Sequence, residues 1–71
     1  MTLSSVETRI LQLLLKRTSM SEDKVSAGMK DIAASNVHLS LQFLIARNLI
    51  KQYDDWFSLT TEGFQQASPR R

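Results

Sequence analysis

Three side chains in one short stretch have the chemistry to read a polar target. Asn36 and Gln42 carry amides that can bond bidentately to adenine, and His38 stands between them. Lys30 precedes the group, Arg47 follows it, and Lys51 lies a little farther on; each can hold a phosphate. Ser35, with the spare amides of a helix start, is a further phosphate position. His38 is the only histidine and has no His-x-x-x-Glu spacing around it, so it reads as an exposed side chain and no metal site is expected. Catalysis is not expected either. The chain has no cysteine and no plausible nucleophile–base pair, and its two glycines, Gly28 and Gly63, make no phosphate loop. Asp54 and Asp55 are adjacent acids that read as a solvated turn. No cofactor is implied.

The chain around these residues is 71 residues long, which is one domain with a thin core. Such a chain hides only about 60% of the surface it exposes when unfolded. Without cysteine no disulfide can reinforce it. Hydrophobic residues at 42% and charged residues at 23% place it with globular rather than disordered chains. Two of its nine cations are Arg70 and Arg71, so residues 1–69 hold seven basic and seven acidic groups and are neutral. A strongly basic body would point to nucleic acid by charge alone; here any such binding must come from local placement. Residues 1–67 read as the domain and residues 68–71 as a disordered basic tail. Met1 and that tail fit a short complete protein, and a trimmed domain would read the same. The start lacks the basic region of a signal peptide, and the longest apolar run, Leu13-Leu14-Leu15, is too short for a bilayer. A cytoplasmic protein with no membrane contact is the expectation.

The elements that must position the polar residues follow from spacing. Ser4 with Glu7 makes a capping box, and Val6, Ile10, Leu13 and Leu14 recur at helical period, widened by Leu3, Leu11 and Leu15. This predicts a helix over 5–17. Ser19 or Ser21 caps a short second helix, about 21–29, with Val25 and Met29 on one face, and Lys30-Asp31 reads as a turn. A third helix opens near Ala34 with Ser35 or Asn36 as its cap. Val37, Leu41, Leu44 and Ile45 form its core stripe, and it ends near Arg47-Asn48, because Asn tolerates the left-handed conformation. Strand formers follow at 50–53 and 56–59 around Asp54-Asp55. Asp-Asp is a poor tight-turn pair, which predicts a somewhat longer loop. Thr60 or Thr61 caps a last short helix, about 62–67, which Gly63 weakens and Pro69 ends. The fold class is mainly α with a small β-hairpin, a three-helix bundle plus a two-stranded wing.

That order is the winged helix arrangement, and two segments carry a closer likeness. Asn36-Val37-His38-Leu39-Ser40-Leu41-Gln42-Phe43-Leu44-Ile45-Ala46-Arg47-Asn48-Leu49-Ile50 resembles the recognition helix and exit of winged helix-turn-helix regulators. Val37, Leu41, Leu44, Leu49 and Ile50 fall on the family's apolar steps, and Asn48 replaces its glycine. Trp56-Phe57-Ser58-Leu59-Thr60-Thr61-Glu62-Gly63 resembles the Leu-Thr-x-x-Gly ending of the wing in MarR-like and related regulators. The resemblance implies a transcriptional regulator bound to double-stranded DNA. Ser35, Asn36, His38 and Gln42 would face the major groove, and Lys30, Lys51 and Arg47 would hold phosphates. A homodimer paired through the first helix, where Leu11 and Leu15 exceed the needs of one face, would bind two half-sites. The chain also departs from the family pattern. The exposed side of the third helix has no basic residue before Arg47, the wing tip is Asp54-Asp55, and the helix after the wing is a stub.

Those departures favour an alternative partner. Leu39, Phe43 and Ala46, at i, i+4 and i+7, make a second apolar ridge on the third helix. Either Phe43 folds under Trp56 and Phe57, or the ridge is exposed and binds a protein. In the second case the domain is an adaptor that uses Leu39, Phe43 and the wing aromatic Trp56. Of Trp56 and Phe57, alternation sends one to the core and one to solvent.

Overall fold

The computed structural model describes residues 3–68. Its elements run α1 (Ser5–Arg17), β1 (Ser19–Ser21), α2 (Glu22–Ala27), α3 (Ala34–Ala46), β2 (Ile50–Tyr53), β3 (Trp56–Leu59) and α4 (Thr61–Ala67). The mainly helical class with a β-hairpin wing is as expected. Arg70 and Arg71 lie outside the described residues.

The capping box starts α1: Glu7 N–H donates to Ser4 Oγ at 3.3 Å, and Ser4 N–H to Glu7 Oε1 at 2.9 Å. Thr18 ends α1 at φ 74, a costly conformation for a β-branched residue, and it turns the chain at once into β1. That strand is not among the expected elements, and it joins the two-stranded wing. Ser19–Ser21 pairs antiparallel with β3, so the sheet has three strands in the order β1-β3-β2. Its alternation is real but only three residues long: Met20 points to the core opposite Phe57, and the flanking serines point away.

Ser21, not Ser19, caps α2, which is shorter than expected. The cap of α3 is also a correction. Ala33 holds the N-cap position with no side-chain hydrogen bond, one residue before the expected start, so Ser35 and Asn36 sit inside the first turn. Asn48 ends this segment at φ 63, as its side chain permits, and Leu49 N–H donates back to Leu44 O at 3.0 Å. The hairpin is tighter than expected. Tyr53 pairs with Trp56 directly, which leaves a two-residue turn. Asp54 takes φ 60, and Gln52 Nε2 donates to Asp54 O at 3.1 Å, which offsets the poor turn chemistry.

Ile10, Leu14, Val37, Leu41, Leu44 and Phe57 centre one core between the helices and the inner sheet face. Leu11 is part of it and is fully buried, which corrects its place on a dimer surface. Nearby, α4 packs on α1 and is tied there by Gln12 Nε2 donating to Ala67 O at 2.8 Å.

Arg9 on α1 grips Asp31, in the turn before α3, with two hydrogen bonds of 2.9 and 3.1 Å. These bonds hold the Asp31 carboxyl below its ordinary 3.8 and raise the Arg9 guanidinium. A depressed folded-state pKa stabilises above the unfolded value and ceases to as pH falls through the folded one. Asp31→Asn is therefore expected to lower the melting temperature slightly at neutral pH, and the difference is expected to close below pH 3.8. Thermal melts followed by circular dichroism at both pH values check this; a gap that persists in acid would exclude the ion pair as its cause.

Candidate nucleic-acid interface

Because Val37, Leu41 and Leu44 turn inward, the opposite side of α3 faces solvent. Ser35, Asn36, His38, Leu39, Gln42 and Phe43 all lie exposed along it, and Lys30 is exposed in the turn just before it. The structure brings these together as one surface. Side chains cap α1, α2 and α4 but not α3, whose first turn also carries no acid. Its N-terminal amides and partial positive charge are thus open to an anion.

His38 is not simply exposed. Its Nδ1 lies 3.0 Å from Glu22 Oε2 and 3.3 Å from Oε1, a bridge from α3 to the first turn of α2. The ring is therefore oriented by a carboxylate before any ligand arrives. Arg47 ends α3 with its guanidinium 4.4 Å over the Phe43 ring, a cation–π contact. Of the two alternatives for Phe43, cover by Trp56 and Phe57 is the one that fails: Phe57 is in the core, and Trp56 points out of the other sheet face. Phe43 keeps 42% of its surface exposed and Leu39 keeps 65%, so the apolar ridge faces solvent.

Other predicted residues lie elsewhere. Lys51 stands on the outer face of β2, in a cleft with Leu15, Thr18 and Phe64 between α1 and α4. Leu15 is half-buried there and Phe64 is exposed. Trp56 is 51% exposed on the outer sheet face and is not part of the α3 ridge.

Spacing did not reveal the negative charge beside α3. Glu22, Asp23 and Asp55 line one cavity with Gln52, between the start of α2 and the inner side of the wing, and no cation lines it. Glu22 and Asp23 are legible as first-turn acids of a helix, but only the fold sets them against the wing tip. Among the described residues no cluster of three or more potential metal ligands occurs, and no helix is long and apolar enough to cross a membrane. The chain matches no protein-family model and no curated protein.

Proposed function

We propose that this protein is a small winged-helix DNA-binding protein, a transcriptional regulator whose α3 enters the major groove. The observation that carries the reading is the start of α3. It has no side-chain cap and no acid in its first turn, and it presents Ser35, Asn36 and Gln42 to solvent with Lys30 beside it. The open amides and Lys30 take phosphates, while Asn36 and Gln42 take base edges. His38, held by Glu22, supports the position of α3 on α2 rather than reading bases freely.

The test is fluorescence anisotropy of labelled duplex at two salt concentrations. Lys30→Ala is expected to weaken binding to every sequence and to lower the salt slope by about one. Gln42→Ala is expected to cost about 1–3 kcal/mol at one base position and to relax specificity there. Lys51→Ala, in its separate cleft, is expected to leave duplex affinity unchanged. Wild-type affinity in both the Lys30 and Gln42 variants would remove α3 from the interface.

A second reading has its own observation. The exposed Leu39–Phe43 ridge, on the helix that the Glu22 carboxylate meets at His38, suits a basic amphipathic protein segment better than it suits a phosphate backbone. In that case Leu39→Ser abolishes capture of the protein partner and leaves duplex binding untouched.

A further inference from the structure

We infer that the outer face of the sheet is a second nucleic-acid surface, one that binds a single strand by stacking bases on Trp56 and Tyr53. This inference does not depend on α3.

The sheet separates two chemistries. Tyr53 and Trp56 are directly paired across β2 and β3, so their rings leave the sheet on the same side. They are the most exposed pair of neighbouring aromatics in the described fold, at 81% and 51%. Lys51, Ser58 and Ser19 form the adjoining row of that face. Trp56 also borders a cleft whose rim carries Arg17 and Lys24. Three cations thus border this face, Arg17 and Lys24 on the Trp56 side. No carboxylate lines this cleft, the cleft at Lys51 or the hollow between Ser19, Tyr53, Trp56 and Ser58. Glu22, Asp23 and Asp55 gather instead in the cavity on the inner side.

Charge complementarity selects the occupant. A polyanion avoids the inner cavity and finds positive charge around the outer face. Two neighbouring rings at a strand-pair spacing accept successive unstacked bases, whereas a duplex keeps its bases stacked inside. Polar neighbours Ser19 and Ser58 make the face a poor seat for an apolar protein surface. The strand is held by base faces and phosphates, so DNA and RNA bind alike.

The full chain is titrated with a short oligothymidylate and, in parallel, with oligouridylate. Trp56 is the only tryptophan, so its fluorescence reports stacking directly. The expected result is saturable quenching with both, weakened by salt with a slope of about 0.7 per cation engaged. Labelled oligonucleotide anisotropy then gives about a tenfold loss of affinity for Trp56→Ala. Tyr53→Ala, a change at a freely exposed residue, gives a similar loss without any packing effect. Arg17→Ala with Lys24→Ala lowers the salt slope. No quenching at low salt overturns the inference. So does a single-strand affinity lost in the Gln42 variant but kept in both aromatic ones, or a strict preference for one sugar. Duplex binding by α3 is scored separately by the Lys30 and Gln42 variants, so either surface can fail without the other.

Discussion

Gly63→Ala is expected to cost about 3 kcal/mol or more of folding free energy, and in so small a domain to leave much of the population unfolded. The backbone at Gly63 is not left-handed, so the demand is for space. A Cβ there would overlap the carbonyl oxygen of Leu49 and lie 2.8 Å from its carbonyl carbon. Neither atom can yield, because both belong to the main chain that leaves α3. Thr60 fixes the same junction. Its Oγ1 accepts from Gly63 N–H at 3.0 Å and donates to Asn48 O at 2.6 Å, while its own N–H donates to Leu49 O at 3.1 Å. The Leu-Thr-x-x-Gly segment is thus a clasp that locks α4 onto the exit of α3. Thr60→Ala, which removes a cap and a cross-link without adding bulk, is expected to cost about 1 kcal/mol. Urea unfolding of the two variants checks the order. A Gly63→Ala protein as stable as wild type would mean that α4 does not sit on the Leu49 turn.

The same glycine shows where sequence reasoning stops. Helix propensity makes Gly63 a weakness of α4, yet the residue is a requirement of packing. Local signals place α1, α3 and both wing strands: a capping box, apolar stripes, an asparagine stop and runs of strand formers. β1 has no such signal. It is three residues long, serine at both ends, and a strand only because β3 lies beside it. Leu11 reads as surplus until the fold buries it. The candidate site divides in the same way. The exposed face of α3 follows from its stripe, so Asn36, Leu39 and Gln42 are legible as surface. The Glu22–His38 bridge, the Arg9–Asp31 pair and the separation of Lys51 from α3 all join residues distant in the chain, and only tertiary structure decides them.

Neutralising the acids beside α3 is expected to tighten duplex binding on the order of a hundredfold at low salt. The changes are Asp23→Asn, Asp54→Asn and Asp55→Asn together. Asp23 and Asp55 line the cavity between α2 and the wing, and Asp54 occupies the turn at its tip. If α3 enters the major groove, the wing and the start of α2 approach the phosphates on either side. A carboxylate about 10 Å from a phosphate is repelled by about 0.4 kcal/mol in water. Several phosphates fall within a Debye length of about 30 Å at low ionic strength, so each acid costs about 1 kcal/mol there. Glu22 is left in place because it holds His38. The gain is expected to vanish near 1 M salt, where the Debye length is about 3 Å. Anisotropy titrations across that salt range give the answer. Unchanged affinity at low salt would mean that the acidic side of the wing faces away from the duplex, which would exclude the α3 docking mode. A single strand seated on the outer sheet face is expected to gain less, because Asp23 and Asp55 line the cavity on the inner side. The ratio of the two gains therefore separates the two surfaces within one protein.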